Sequence, residues 1–337
     1  MGTNRLAAAL SLALFVAVLA GCGEGDADGG DGFASAAEPA EAPPLETEPV
    51  GELLPVGSGA EGLAVDGETG IAALGVREPP SLELIDLEAF EIARTIELSS
   101  HPRHLQLAEA GGPVLVPAED SDELIRVELP SGAAGAVSVG DFPHDAAALG
   151  DRVFVGNEFG DTISVLEGSE TVETLDAPVQ PGGVVASGGL IGVIAVSERV
   201  LTVFDPDSLA ELGTIDAGEG PTHIVAAGRR AFVADTEGDS ILEFRLAPKP
   251  RLVGETALEG TPYGIAIDPA RERLWVTLTA RNEVVELAFG EAGLDEVARY
   301  PTVEQPNTIG IDPRTGAAIV AGATEEAILQ RIEPSGD

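Results

Sequence analysis

The side chains best suited to chemistry are four histidines, and all of them fall in one recurring phrase of the sequence. His101 directly precedes the proline of its copy, and His144 directly follows the proline of its copy. His104 and His223 each lie two residues after a proline. Imidazoles bind transition metals and exchange protons near neutral pH. Side chains alternate along a strand, so His144 should face away from His104 and His223. We interpret the histidines as structural or solvated positions; a metal-binding or catalytic role, with His104 and His223 as ligands, is the alternative.

The phrase that carries the histidines recurs seven times and sets the architecture. Copies read FPHDAAA, GPTHIVA and TPYGIAI, and successive copies are 38 to 44 residues apart. Their second residues are Ala60, Pro102, Pro143, Pro181, Pro221, Pro262 and Pro306. A period of roughly 40 residues with short strands and glycine-rich turns is typical of a β-propeller blade. The seven copies therefore predict seven blades.

Each full period contains four short segments that are rich in β-branched residues and bounded by Gly, Asp or Pro, which is the pattern of antiparallel strands and tight turns. The last period has three such segments. A segment around Leu54 precedes the first copy as an outer strand precedes each later copy. We predict an all-β fold, a seven-bladed β-propeller with four antiparallel strands per blade, in which this N-terminal strand completes the last blade. Residues 51–337 would form this single domain.

Two stretches carry a family resemblance. VGNEFGDTISVLE at 155–167 and TPYGIAIDPARERLWVT at 261–277 resemble the YVTN-type repeat, in which a strand ending in Thr-Asn is followed by a turn and a second strand. The resemblance covers residues 53–334, although Asn157 is the only match to the repeat's asparagine. It implies a seven-bladed propeller of surface or periplasmic type. The architecture is also similar to that of seven-bladed lactonases and streptogramin-type lyases, which assemble metal-assisted sites from several blades.

The first strand of each propeller blade lies nearest the central axis, so the recurring phrase predicts a polar rim around one channel mouth. The candidate ligand-binding residues on this rim are Glu61, Arg103, His104, His144, Asp145, His223, Tyr263 and Asn307. The sequence has no phosphate-binding loop, Gly-x-Ser-x-Gly elbow, HExxH or paired-cysteine motif. We therefore predict a binding or scaffolding module without a cofactor, which contacts an envelope protein or a small ligand. The alternative is a lyase or lactonase with a dispersed axial site and a divalent metal.

The N-terminus predicts export and lipidation. Residues 6–20 form an apolar run that is short for a membrane span and ends in Leu-Ala-Gly-Cys, which resembles a bacterial lipobox. This predicts a signal peptide over residues 1–21 and a lipid on Cys22; an uncleaved signal with an incidental cysteine is the alternative. Residues 22–50 are rich in Gly, Ala, Pro and acidic side chains, so we expect a disordered acidic tether. The protein would be a monomer, anchored to a membrane of the cell envelope and facing the periplasm or the cell exterior.

Charge excludes one class of function. The chain has 58 acidic and 18 basic residues, which gives a net charge of −40. A surface of this sign repels phosphate backbones, so we expect no nucleic-acid partner. We interpret the charge as a solvated acidic surface; attraction of cations or of a basic partner is the alternative. Cys22 is the only cysteine, which leaves no disulfide within the chain.

Overall fold

The computed structural model describes residues 35–290 and 293–335. The strands of this part of the chain form seven antiparallel sheets of four strands each. Six sheets contain four consecutive strands, and the seventh has the order β1-β28-β27-β26. The predicted all-β fold with seven four-stranded blades is therefore confirmed.

The first four blades occupy the N-terminal half of the domain. Their strands are β2 Ser58–Asp66, β3 Ile71–Glu78, β4 Ser81–Asp86 and β5 Glu91–Glu97 in blade 1; β6 Gln106–Leu107, β7 Val114–Ala118, β8 Glu123–Val127 and β9 Ala134–Ser138 in blade 2; β10 Pro143–Leu149, β11 Arg152–Asn157, β12 Thr162–Glu167 and β13 Glu170–Asp176 in blade 3; and β14 Pro181–Ser187, β15 Leu190–Ala195, β16 Val200–Phe204 and β17 Glu211–Asp216 in blade 4.

The last three blades complete the ring. Their strands are β18 Pro221–Ala227, β19 Arg230–Asp235, β20 Ser240–Arg245 and β21 Arg251–Ala257 in blade 5; β22 Pro262–Asp268, β23 Arg273–Leu278, β24 Glu283–Gly290 and β25 Gly293–Pro301 in blade 6; and β26 Pro306–Ile311, β27 Ala318–Gly322, β28 Ile328–Ile332 and β1 Glu52–Pro55 in blade 7. Two 3₁₀ turns, Glu119–Ser121 and Thr279–Arg281, follow the second strands of blades 2 and 6.

Both ends of the domain meet in blade 7, as predicted. Strand β1 pairs with β28, with Leu54 opposite Leu329. The Val56 N–H continues the pairing by donating to the Ala327 carbonyl at 3.0 Å. Because the first strand supplies the outer edge of the last blade, hydrogen bonds close the ring.

The apolar side chains lie between neighbouring blades. Strand β15 is buried along its whole length, whereas most of the outer strand β5 is exposed. Residues of blades 4 and 5 share one apolar cluster that includes Val203 and Phe244, both fully buried. Short β-branched strands suit this arrangement because both faces of the middle strands pack against another sheet.

Most of the first strands open with an irregular register. In blade 3 the register shifts between Pro143 and Asp145, so His144 has no residue opposite it. In blade 5 the same shift leaves Thr222 unpaired. A bulge of this kind changes the direction of the side chains around it.

A recurring backbone bond fixes where the first strand begins in blades 2 to 7. The residue after the second strand donates its N–H to the carbonyl of the residue before the proline. The donor and acceptor residues are Glu119 and His101, Glu158 and Phe142, Val196 and Gln180, Thr236 and Gly220, Thr279 and Thr261, and Ala323 and Gln305. These bonds bring the start of each first strand and the end of each second strand to one face of the disc, which we call the axial face.

The N-terminal segment differs from the prediction. Residues 35–50 form no strand, but they lie against the axial face. Ala37 is buried, and the Val50 N–H donates to the Pro301 carbonyl at 3.3 Å. A disordered tether is therefore wrong for residues 35–50, because polar side chains of the domain bond to their backbone. The predicted signal peptide, the lipidated Cys22 and the rest of the tether lie outside the described residues.

The described residues contain no helix with the length and apolar character needed to cross a membrane.

Candidate functional site: the axial mouth

The first strands of all seven blades surround a cavity of about 310 Å³ on the central axis. Much of its wall consists of glycine and aliphatic residues. Its polar lining includes His104, Gln106, Asp145, His223 and Asn307. We call the end of this cavity at the axial face the axial mouth, and it is formed by Glu61, Arg103, His104, His144, His223, Tyr263 and Asn307. Cavities of this size with a few convergent polar groups are typical ligand sites.

Four aromatic rings from different blades form a row across the axial mouth. The ring centroids of His144 and His104 are 4.6 Å apart, those of His104 and His223 are 4.4 Å apart, and those of His223 and Tyr263 are 4.5 Å apart. These residues belong to blades 3, 2, 5 and 6, so the row crosses the axis. The expectation that His144 faces away from His104 is wrong, because His144 is the extra residue of a bulge.

His104 and His223 form a neutral pair. Their Nε2 atoms are 2.9 Å apart, so one donates a hydrogen bond and the other accepts it. Burial, together with the neighbouring His144 and Arg103, lowers the pKa of His223 to about 3. Burial and His223 hold the pKa of His104 well below its usual range. Both imidazoles are therefore uncharged at neutral pH.

His144 is paired differently, with the buried carboxylate of Glu158. The His144 Nδ1 donates to the Glu158 Oε2 at 2.5 Å, and the Gln180 Nε2 donates to the Glu158 Oε1 at 2.7 Å. Burial opposes ionisation of Glu158, but the charge and hydrogen bond of His144 lower its pKa to about 2. The Glu158 carboxylate is therefore ionised at neutral pH.

Two carboxylates and two guanidinium groups link blades 1 and 2 beside the rings. Arg103 lies 2.7 Å from the Glu61 carboxylate and 2.8 Å from that of Glu119. Arg77 contacts the same two carboxylates at 3.1 and 3.2 Å. Burial lowers the pKa of Arg103, but Glu61 and Glu119 raise it further, so its charge is held in place. The network fixes Arg103 at the edge of the axial mouth.

Asp145 links three blades. Its carboxylate accepts hydrogen bonds from Gln106 Nε2 at 2.9 Å, from Ala146 N at 2.8 Å and from Val184 N at 2.8 Å. Burial raises the pKa of Asp145 to about 6, although these three donors favour the ionised form. Because both carboxylate oxygens are used within the wall, Asp145 positions the strands of blades 2, 3 and 4.

The structure brings most of the predicted rim residues together. Glu61, Arg103, His104, His144, His223 and Tyr263 form one contiguous group through the ring row and the ion pairs. Asn307 lies on the same mouth in blade 7, where its Oδ1 accepts from Gln305 Nε2 at 2.9 Å. His101 lies apart on the surface and pairs with Asp120 at 3.0 Å.

Several residues of the mouth and its surroundings were not predicted from the sequence. They are Arg77, Gln106, Glu119, Glu158, Gln180, Thr279, Asn282 and Gln305. One signal could have found three of them. Glu119, Glu158 and Thr279 each directly follow the second strand of their blade. The recurring backbone bond turns that position toward the start of the first strand.

The predicted metal ligands His104 and His223 do meet, but as two nitrogens bonded to each other. Within residues 35–290 and 293–335 no group of three or more His, Cys, Asp or Glu side chains is placed to hold a metal ion. Protein sites for zinc use at least three such ligands. Among the described residues, His104 and His223 therefore bring two imidazole nitrogens together without a third such ligand.

A short part of the N-terminal segment, residues 36–43, covers the mouth on the side of blades 5 to 7. The Ala40 N–H donates to the Thr279 hydroxyl at 3.1 Å, and the Ala42 N–H donates to the Gln305 Oε1 at 2.8 Å. Glu38 lies between Ala37 and Ala40 in the sequence, and its side chain is largely exposed. The pKa of its carboxyl is raised, because partial burial and the carboxylates of Glu61 and Glu158 outweigh the opposite effect of Arg103. We call residues 36–43 the docked segment.

Solved structures of several propellers are similar to this chain. The hydrazine synthase of Kuenenia stuttgartiensis has a chain with 15% identity and a TM-score of 0.73, covering 88% of this chain and 99% of that one. A streptogramin B lyase has 12% identity and a TM-score of 0.70, covering 84% and 98%. A chain of the mitotic checkpoint complex has 10% identity and a TM-score of 0.73, covering 90% and 98%. At such low identity these likenesses establish the fold alone.

No family model matches the sequence, and no curated protein matches it either.

Proposed function

We propose that this protein is a binding module that receives its ligand at the axial mouth. One observation carries the proposal: His104 of blade 2 and His223 of blade 5 meet across the axis, with their Nε2 atoms 2.9 Å apart. Side chains from opposite blades therefore form one site at the end of a cavity of about 310 Å³. Convergence of this kind on one cavity is what a ligand site requires.

The chemistry of the mouth suits recognition. The Glu158 carboxylate is ionised but already bonded to His144 and Gln180, and Arg103 is held by Glu61 and Glu119. Groups that are fixed by their own partners present a preorganised surface, which lowers the entropic cost of binding. A fixed cation, a neutral histidine pair and an apolar cavity together favour a ligand with both polar and apolar parts.

We also propose that the module is anchored to a membrane of the cell envelope through a lipid on Cys22 and resembles YVTN-type propellers in its role. The support is the apolar run of residues 6–20, which ends in Leu-Ala-Gly-Cys, together with the repeats at 155–167 and 261–277. The propeller ring would then stand outside the cytoplasm, where its axial face can meet an envelope protein or a small ligand.

The proposal is tested by blocking the mouth in the full-length protein. Asn307→Arg places a long cationic side chain at the start of β26, whereas Thr315→Arg makes the same charge change in the exposed turn at the opposite end of that strand. Tagged wild-type and variant proteins are purified from their native envelope, and the co-purifying molecules are quantified by mass spectrometry. We expect at least a tenfold loss of the ligand with Asn307→Arg and retention with Thr315→Arg. Equal retention or equal loss in the two variants would refute the proposal.

A further inference from the structure

We propose that Thr279, Asn282 and Gln305 form a binding site for extended, acidic, proline-containing peptides, and that the docked segment occupies this site in cis. The inference rests on the proposed function and deepens it, because it names the class of ligand and the element that controls access. The site lies on the axial face between blades 6 and 7, beside the axial mouth.

The docked segment is held through its backbone. The side-chain amide of Gln305 accepts from the Ala42 N–H at 2.8 Å and donates to the Ala40 carbonyl at 2.9 Å. The Ala40 N–H donates to the Thr279 hydroxyl at 3.1 Å, and the Asn282 Nδ2 donates to the Pro43 carbonyl at 2.6 Å. An amide that bonds the carbonyl of one residue and the N–H two residues later recognises an extended backbone. These contacts can therefore be made by other peptides of the same conformation.

Two positions of the docked segment add selectivity. Ala37 is buried against Gly220, where an added Cβ would lie only 2.8 Å from the Ala37 Cβ, so the site accepts a small residue there. The carboxyl of the next residue, Glu38, lies within electrostatic range of Arg103, the cation of the axial mouth, which lowers the pKa of that carboxyl against the effect of burial. A peptide with a small residue followed by an acidic one satisfies both positions.

Proline fixes the conformation that the backbone contacts require. Pro39, Pro43 and Pro44 restrict the docked segment to an extended form before it binds. A preformed extended peptide loses less conformational entropy on binding than a flexible one. The ligand class is therefore an extended peptide that contains proline, rather than a helix or a folded surface.

The docked segment is attached in a way that permits exchange. It belongs to no sheet, and residues 44–48 after it are exposed. Each hydrogen bond contributes modestly, because water replaces it when the segment leaves. The segment is joined to β1 by a short linker, residues 44–51, which gives it a millimolar effective concentration at the site. A peptide from a partner must compete with this local copy, so the segment limits access to the site.

The test measures binding of a synthetic peptide in trans. The probe is fluorescently labelled SAAEPAEAPPL, the sequence of residues 35–45. Fluorescence anisotropy compares the wild-type full-length protein with a full-length variant in which a Gly-Ser sequence of equal length replaces residues 36–43. We expect the wild type to bind the probe at least tenfold more weakly than the segment-replaced variant, since the cis copy competes.

Point substitutions in the segment-replaced variant locate the site. Gln305→Ala removes two hydrogen bonds and should weaken probe binding about tenfold, while Thr279→Val removes one and should weaken it about threefold. The matched control is Thr236→Val. Thr236 directly follows the second strand of blade 5, and its hydroxyl donates to the Pro262 carbonyl as the Thr279 hydroxyl donates to the Thr261 carbonyl. This control should leave probe binding unchanged. Thermal unfolding of each variant shows whether it is folded.

Three outcomes would overturn the inference. They are equal probe binding by wild type and the segment-replaced variant, no probe binding by the segment-replaced variant, and equal weakening by Thr236→Val and Thr279→Val. The proposed function is tested separately, because Asn307→Arg measures the native ligand. Loss of the native ligand with Asn307→Arg but no probe binding would refute only the peptide site, whereas probe binding with an unaffected native ligand would refute only the proposed function.

Discussion

Two buried side-chain pairs in the axial mouth contain histidine, His144 with Glu158 and His104 with His223. The first pair contains an ionised carboxylate, whereas the second pair is neutral. On the side of blades 3 and 4, His144 donates to the ionised Glu158 carboxylate. At the axis, the Nε2 atoms of His104 and His223 hydrogen-bond to each other, and burial keeps both imidazoles neutral. The ring centroids of His144 and His104 are 4.6 Å apart. The comparison shows that a buried carboxylate with hydrogen-bond donors stays ionised in the mouth, whereas two imidazoles buried against each other stay neutral.

The largest effect should come from removing the carboxylate of the first pair. Glu158→Ala leaves the buried His144 and the partly buried Gln180 without their acceptor, and the loss of one partner of a buried pair destabilises a protein by about 3 kcal/mol or more. Urea denaturation of the full-length protein at pH 7 measures the change. The control is Glu167→Ala, since the Glu167 side chain is 48% exposed and pairs with Arg152 at 2.8 Å on the surface. That change should cost less than about 1 kcal/mol, and equal costs would contradict the comparison.

Acid should reduce the stability of the protein through the neutral pair of His104 and His223. The pKa of His223 is about 3 in the folded protein, compared with 6.5 ordinarily. Between these values the unfolded chain binds the proton and the native protein does not, so stability falls as pH falls through this window. Burial raises the pKa of Asp145 from 3.8 to about 6. Between these values the native protein binds the proton and the unfolded chain does not, so this group increases stability as pH falls.

A double variant separates these two contributions. His104→Leu with His223→Leu removes the imidazoles and leaves Asp145 in place. Between pH 7 and 5 the wild type should lose about 4 kcal/mol more stability than the double variant, about 2 kcal/mol for each imidazole that stays neutral in the native protein. Urea denaturation at several pH values measures both proteins. A double variant that loses as much stability as the wild type would show that the pair is not neutral in the native state.

Single substitutions at the axis should have smaller effects. His104→Leu or His223→Leu leaves one Nε2 without its partner and should cost about 1 to 2 kcal/mol at pH 7. Replacing both should cost less than the sum of the two single changes, because no unpaired nitrogen remains. A double-mutant cycle by urea denaturation measures this coupling. Strict additivity would mean that the 2.9 Å contact contributes nothing.

Metal addition should have the smallest effect. His104 and His223 supply two nitrogens, and the described part of the chain has no group of three or more ligands placed to hold a metal. Excess Zn²⁺ should therefore raise the melting temperature of the full-length protein no more than it raises that of the double variant. Stoichiometric zinc that is lost in the double variant would instead favour the metal-assisted alternative.

The fold was predictable because the first strands repeat. The seven copies from Ala60 to Pro306 predicted the number of blades, and the strand around Leu54 predicted the closure, because both depend on local turn and strand signals. Convergence of the histidines was not predictable from alternation. The bulge at His144 comes from backbone pairing with β11, which side-chain patterns do not report.

The docked segment was missed for a different reason. Its composition is that of a disordered tether, and its contacts use backbone groups that any sequence carries. The information lies in the partners Thr279, Asn282 and Gln305, whose role is visible only when blades 6 and 7 are side by side. Glu158 was not predicted because it follows a second strand, whereas the candidate rim residues were all in the phrase that contains the first strands.

Photo-crosslinking in native cells tests the binding role of the axial mouth most directly. A photoreactive amino acid is placed at Asn307 in the mouth or at Thr315 at the opposite end of the same strand, in the full-length protein. The account predicts one defined adduct from position 307, which is lost when excess ligand-free protein competes, and no such adduct from position 315. An adduct from position 315 alone, or the same adduct from both positions, would contradict it.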